Sequence, residues 1–199
     1  MTAADARDLW TIIDVRPWTA ALRAYPSVVA AQQIAELGDL DRWYTDELPT
    51  LLAERDEPYI DREELTRIVK WKMMRGEWHQ RNLLLVRSNR DADIRAASQE
   101  AFALAPEPRA PLTRLAKLDG VGPATASAVL GACRGDLYPF LDELVGAAIA
   151  ELGEPKFTAP YYVRYAEALR NRAADLGGDW TAQRVGLALW AASGGKAAL

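Results

Sequence analysis

Apolar residues recur along this chain at the spacing of helices, and no segment alternates apolar β-branched residues with polar ones over several positions. The clearest stripe falls between positions 62 and 75 and consists of Leu65, Ile68, Val69 and Met73. The last three lie three, four and eight positions after the first, so all four share one helix face. The pattern predicts an all-α fold, a bundle of helices.

Prolines, glycines and capping residues divide this pattern into separate helices. Pro17 and Pro26 each suit a first helical position, where the missing N–H costs no hydrogen bond. Pro49 should break or kink the helix that contains it, and Asp61 is a good N-cap. The predicted helices are 17–25, 26–37, 39–55, 62–75, about 91–104 with Ser88 or Asn89 as its cap, a turn or two over 113–118, 125–133, 158–176, and 181–192 capped by Thr181.

The chain is long enough to bury a hydrophobic core, and we expect a single helical domain over 1–199. Three prolines predict a stiff surface linker at 106–111. That linker is the best boundary between two helical subdomains around a cleft. The most informative motifs fall just after it, in segment 113–145.

Composition narrows the class of protein. The single cysteine, Cys133, rules out a disulfide framework and any four-cysteine zinc or iron–sulfur site. No apolar run reaches the roughly 18 residues of a membrane span, and the N-terminus lacks a signal-peptide pattern, so we expect no membrane partner and a cytoplasmic location. The net charge of -4 argues against general polyanion binding, because such binding depends on neutralising phosphates.

A local basic region stands out against this acidic background. Segment 62–95 carries nine Arg and Lys residues against five Asp and Glu, a net charge of +4. Cations and rings alternate within it: Lys70, Lys72, Arg75 and Arg81 lie among Trp71, Trp78 and His79. These residue types bind phosphates and stack on unpaired bases. The alternative, equally open, is that Trp71 is core and the cations form a solvated face.

Two glycines one residue apart, Gly120 and Gly122, stand directly before a predicted helix, with Val121 between them. Glycine tolerates positive φ and leaves its amide uncovered, and a helix N-terminus attracts anions. The amides of this hairpin and of the helix start are therefore a candidate site for a DNA phosphate. The alternative is a tight turn between helices with no ligand.

Further along, Gly135, Pro139 and Asp142 lie 13, 17 and 20 residues after Gly122. With LDGVGPATASAVL before them, they make the region resemble the helix-hairpin-helix and Gly/Pro/Asp loop of the DNA glycosylase superfamily. The resemblance implies that the hairpin, through Gly120, Val121, Gly122, Ala124 and Thr125, grips the backbone of double-stranded DNA. It also implies that Asp142 is a catalytic carboxylate facing a flipped nucleotide.

The region also departs from that superfamily. Ala124 stands where bifunctional members carry a nucleophilic lysine, so strand cleavage through a Schiff base is not expected. Asp119 precedes the hairpin and would repel a phosphate if it pointed inward. Glu77 is a candidate general acid, and Glu143 is another. Asp142 itself has a structural alternative, because an aspartate at a helix start is commonly an N-cap.

The expected function is that of a monofunctional DNA N-glycosylase in base excision repair, which would hydrolyse the N-glycosidic bond of a damaged or mispaired base. The alternatives are a DNA-binding protein without catalysis and a helical protein-interaction scaffold. We expect no cofactor and no iron–sulfur cluster, although the hairpin could hold a monovalent cation. A monomer is favoured, and in a bacterium the protein would be associated with the nucleoid.

Overall fold

The computed structural model describes residues 3–196, and every regular element within that range is helical. The all-α prediction is confirmed. No helix among these residues is long and apolar enough to cross a membrane. The α-helices are α1 Ala3–Thr11, α2 Val15–Ala31, α3 Leu37–Arg42, α4 Leu48–Ala53, α5 Arg62–Arg75, α6 Gln80–Ser88, α7 Asp91–Ala103, α8 Arg109–Leu115, α9 Pro123–Cys133, α10 Glu143–Ala148, α11 Ala159–Leu176 and α12 Ala182–Ala192. A π-helical turn, Trp43–Glu47, and a 3₁₀ turn, Ala150–Leu152, complete them.

Helix α2 corrects the prediction of two helices over 17–25 and 26–37. It runs through Pro26 without a break and ends at Ala31. One face of the helix is buried and packs mainly on α12. Pro26 is on the exposed side, where the carbonyl that its ring leaves unpaired can reach water. Burial of the long face therefore outweighs the local cost of the proline.

The segment around Pro49 stays helical by changing its pitch. Helix α3 continues through the π turn into α4, and the Leu48 amide donates to the Trp43 carbonyl, five residues back. Pro49 then occupies the first turn of α4, where a missing N–H is tolerated. The predicted break at Pro49 takes the form of this widened turn.

Capping explains the starts of the best-predicted helices. The Asp61 carboxylate accepts a hydrogen bond from the Glu64 backbone amide, and the Glu64 carboxylate accepts one from the Asp61 backbone amide. These two bonds form a capping box at the start of α5. Thr158 and Thr181 cap α11 and α12 through their hydroxyls. The prediction that Ser88 or Asn89 caps α7 is wrong. The N-cap residue is Arg90, and its side chain forms no capping hydrogen bond.

Helix α8 begins earlier than predicted, at Arg109 instead of Thr113, so the proline segment is partly helical. Pro111 is buried within it. One continuous set of buried apolar residues extends across both sides of this segment. Helix α9 lies in the middle of that core, and from Thr125 to Ala132 every residue is buried. The hairpin thus leads directly into a helix whose residues are mostly buried.

Candidate nucleic-acid interface and the Asp142 pocket

The hairpin between α8 and α9 is tight at Gly120. The Val121 amide donates to the Leu118 carbonyl at 3.2 Å, and Gly120 has φ of 74°. A Cβ added at Gly120 would lie 2.7 Å from the Asn82 carbonyl oxygen and 2.9 Å from the Leu85 Cβ, both on α6. Gly120 is therefore required for the backbone turn and for its close contact with α6.

Gly122 has a different environment. It is exposed, its backbone is extended with φ of -91°, and a Cβ there would meet no atom within 4 Å. It is the N-cap residue of α9 and supplies no side-chain cap. Among residues 3–196, nothing accepts a hydrogen bond from the amides of Ala124 and Thr125. These amides are the donors that an anion at a helix start would use.

The side chain of Asn89 clamps the hairpin to the end of α6. Its amide group donates to the Asp119 carbonyl at 2.9 Å, and its oxygen accepts from the Asp119 amide at 3.0 Å. The Asp119 carboxylate stays exposed beside the hairpin. Asn89 therefore fixes the backbone of the turn while leaving its one acid in solvent.

Asp142 lies at the N-cap of α10 and is 8% exposed. Its Oδ1 accepts from the Leu144 amide at 2.9 Å and from the Val145 amide at 3.5 Å. The loop before it is tied to α9, because the Ser127 hydroxyl accepts from the Leu141 amide at 2.9 Å. The capping role, considered above as the alternative for Asp142, is thus present in the structure.

The second oxygen of Asp142 faces a buried arginine. Arg75, near the end of α5, places one guanidinium nitrogen 3.4 Å from Asp142 Oδ2 and the other 3.5 Å from Asp41 Oδ1. Asp41 also accepts from the Tyr25 hydroxyl at 2.6 Å and from the Trp71 indole N–H at 2.8 Å. We call these five side chains the Arg75 cluster. It joins α2, α3, α5 and the start of α10.

Electrostatics keep Arg75 charged although it is buried. Burial alone would lower its pKa, but the hydroxyl oxygen of Tyr25 and the carboxylates of Asp142 and Asp41 outweigh that effect and hold the pKa above its ordinary value. The guanidinium also lies 4.1 Å from the ring centre of Trp190 and 4.9 Å from that of Trp71. Its Nε has no hydrogen-bond partner within residues 3–196. One cation thus serves two buried carboxylates.

A cavity of about 10 Å³ borders Asp142, enough for a single water molecule. Its lining residues are Trp71, Arg75, Phe140, Asp142, Val145, Gln183, Gly186 and Leu187. A nucleobase does not fit into this volume. In the conformation described, the Arg75 guanidinium occupies the space beside the carboxylate.

The aromatic residues of the basic segment have separate environments. Trp71 is fully buried and stacks on Tyr44 with ring centres 3.7 Å apart, so it presents no free ring face to a base. Trp78 is 48% exposed, just before α6. His79 lies beside it with Nε2 3.4 Å from Glu77 Oε2. Glu77 is in solvent and does not border the Asp142 cavity.

The predicted phosphate-binding cations are likewise divided. Arg75 is enclosed and faces its own carboxylates, so it is not accessible to a phosphate. Lys70 and Lys72 are half-buried, and burial lowers the pKa of Lys72. Arg81 is exposed on α6. Of the four, Arg81 is the one best placed to meet a ligand from solvent.

Metal-ligating residues and the single cysteine are the remaining candidates for chemistry. Between residues 3 and 196, no three His, Cys, Asp or Glu side chains converge as metal ligands. Burial raises the pKa of the Cys133 thiol to about 11, which keeps it protonated and a poor nucleophile.

Several residues important to this geometry were not predicted from the sequence to take part in it. They are Tyr25, Asp41, Asn89, Ser127 and Gln183, the last of which accepts from the Phe140 amide at 3.0 Å. One signal was present for Arg75: it follows Ile68 and Trp71 by seven and four positions, which places it on their buried face. Its partners are distant in sequence, so the pattern could not identify them.

Comparison with protein-family models, curated proteins and solved structures finds no match to this chain. The resemblance to DNA glycosylases therefore rests on the residues of segment 113–145 alone.

Proposed function

We propose that this protein binds double-stranded DNA through the hairpin at Gly120 to Gly122. The observation that carries the proposal is the unpartnered amide of half-buried Ala124, followed by that of buried Thr125, beside an exposed glycine with open space around it. A phosphate oxygen fits such donors, and the positive end of the helix dipole adds to the attraction.

The support around the hairpin agrees with this proposal. Gly120 fits closely against α6, and the Asn89 side chain hydrogen-bonds both the backbone N–H and the carbonyl of Asp119. The donors are therefore held in place before a ligand arrives, which reduces the entropic cost of binding. Arg81 on α6 adds an exposed positive charge on the same platform.

We infer that Asp142 acts as a structural residue in this conformation. It caps α10, pairs with Arg75 and borders a cavity too small for a base. A carboxylate that is already neutralised by a buried cation stabilises a developing positive charge less well. DNA binding without base excision is therefore the function that the geometry favours.

A negative charge at position 122 tests the phosphate site. Gly122→Asp would cap α9 with its own carboxylate, so the fold is kept while the amides are occupied and the site repels phosphate. We expect its affinity for a fluorescent duplex at low salt to fall at least tenfold. Gly122→Ala, which leaves the amides free, should stay within about threefold of the wild type.

Equal binding by Gly122→Asp and the wild type would overturn the phosphate site. If the wild type itself does not bind duplex DNA at low salt, the whole proposal fails. A protein-interaction scaffold would then be the better account of the hairpin.

Base excision is the second candidate, because Asp142 does border a cavity walled by Trp71 and Phe140. Excision would require Arg75 to leave its place beside the carboxylate. The test is abasic-site formation on a panel of duplexes carrying damaged or mispaired bases, with Asp142→Asn as the inactive control. Our proposal expects no base release by either protein, and release by the wild type alone would establish the enzyme.

A further inference from the structure

The outer face of α6 combines exposed leucines with positive charge. Leu84 is 58% exposed and Leu85 is 36% exposed. The helix sequence QRNLLLVRS contains no acid, and Arg81 and Arg87 lie three residues before and after Leu84. Exposed leucines alone are common on protein surfaces, so this face is distinguished by the arginines beside them and by the contact of this helix with the hairpin.

This face is continuous with the hairpin. The Leu85 Cβ and the Val86 amide nitrogen lie 2.9 Å and 3.0 Å from the position a Cβ would take at Gly120. Asn89, just after α6, holds the peptide of Asp119. Leu85 and Asn89 therefore join α6 rigidly to the hairpin, and Leu84 is the next exposed leucine on the same helix.

The charges on this surface are free to meet a ligand. Within residues 3–196, none of Arg81, Arg87 and Arg90 has an ion-pair partner or a side-chain hydrogen bond. Asp119 is the exposed acid of the adjoining hairpin. Two other cations of segment 62–95 are engaged within the fold: Arg95 pairs with Asp91 and Asp61, and Arg75 pairs with Asp41 and Asp142.

We propose that the outer face of α6 is a second DNA contact, next to the hairpin. Arg81 and Arg87 on α6 and Arg90 at the start of α7 bind phosphates, and Leu84 and Leu85 pack against the apolar edges of the deoxyribose rings between those phosphates. The inference rests on the proposed DNA binding. It names duplex DNA as the partner because three unpaired arginines lie on or just after the helix that carries the leucines, and this helix contacts the hairpin.

The charge and apolar parts make different predictions for salt dependence. The double variant Arg81→Gln/Arg87→Gln should weaken duplex binding about tenfold at low salt and reduce the slope of log affinity against log salt by about 2. Leu84→Ser should weaken binding about threefold to tenfold with an unchanged slope, because it removes no cation.

Matched controls come from other exposed positions. Arg23→Gln on α2 and Leu51→Ser on α4 remove the same groups from exposed positions on other helices, and both should bind as the wild type does. Urea unfolding of each variant checks that folding is unchanged.

The outcomes separate this inference from the proposed function. If Gly122→Asp loses binding while the α6 variants keep wild-type affinity and slope, the α6 contact is wrong and the hairpin site stands. Loss in the α6 variants with normal binding by Gly122→Asp would instead remove the hairpin site and leave α6 as the contact. An unchanged slope in the double arginine variant would overturn the phosphate contacts of α6.

Discussion

The Arg75 cluster and the surface formed by the hairpin and the outer face of α6 use the same residue types in opposite ways. In the cluster, a guanidinium lies among aromatic rings and is neutralised by Asp41 and Asp142 of the same chain. On the surface, arginines lie beside leucines and have no acid partner among the described residues. The first arrangement pairs its charges within the fold, whereas the second leaves positive charge and apolar area in solvent.

Both arrangements draw cations from segment 62–95, whose net charge of +4 suggested nucleic-acid binding. Burial decides which of these cations can act outside the protein. A count of charges along the sequence can therefore indicate a region that binds nucleic acid. Only the folded structure shows which of its cations lack partners and are available for binding.

Removal of Arg75 should have the largest effect. Arg75→Met leaves Asp41 and Asp142 buried without a cation, and we expect a loss of about 3–5 kcal/mol in the free energy of unfolding. Urea denaturation measures it. The control Arg81→Met, on the surface, should change stability by less than about 0.5 kcal/mol. A loss below about 1 kcal/mol at Arg75 would mean that the carboxylates reach solvent without it.

Alkaline pH should also destabilise the fold, through its buried tyrosines. Burial raises the pKa of Tyr25, Tyr162 and Tyr165 well above the ordinary tyrosine value. Above about pH 10 the unfolded chain releases these protons and the native protein retains them, so stability falls as pH rises. Each tyrosine contributes about 1.4 kcal/mol per pH unit to the decline.

Urea midpoints between pH 9 and 11, followed together with tyrosinate absorbance, test that decline. Tyr25→Phe should make the slope shallower by one proton. Constant stability across this range would show that the three phenols ionise as readily in the native protein as in the unfolded chain.

The two hairpin glycines should differ in their effect on stability. Gly120→Ala forces a side chain into positive φ and against the backbone of α6, at a cost of about 2–4 kcal/mol. Gly122→Ala meets open space and should cost at most about 1 kcal/mol, the loss expected at an N-cap. Thermal and urea unfolding of the pair provide the measurement. Similar losses at both positions would contradict the distinct roles given to them.

The smallest expected effect concerns the acid beside the hairpin. Asp119→Asn removes an exposed negative charge while Asn89 still holds the backbone, so stability should stay constant. Duplex affinity at low salt should rise about twofold to threefold and return to the wild-type value at high salt. A gain that persists at high salt would point to a new hydrogen bond instead of relieved repulsion.

Local signals predicted much of the fold. Helix α5 was predicted with the correct bounds because Asp61 and Glu64 form a capping box, and such bonds depend on residues three apart. Helix α2 was divided wrongly at Pro26 because the burial that carries it through depends on α12, distant in sequence. Propensity predicts a helix end well only where tertiary packing does not compete.

The candidate site was predictable in part. The glycine hairpin and the N-cap position of Asp142 follow from short motifs. The spacing of Arg75 from Ile68 and Trp71 indicates a buried position, but nothing within α5 identifies its partners. Its carboxylate partners come from α3 and from the start of α10, and only the folded chain brings them together.

The widened turn at Trp43–Glu47 sets the angular phase of α3 relative to α4. Each helical residue turns the chain by about 100°, so a chain one residue shorter at this turn would swing Asp41 off the side that faces Arg75. Tyr44, which stacks on Trp71 and donates to the Ala128 carbonyl at 2.9 Å, would move with it. The alignment of charges around Asp142 thus depends on the pitch of a turn far upstream in the sequence. The number of residues in that turn is as strict a requirement as their type.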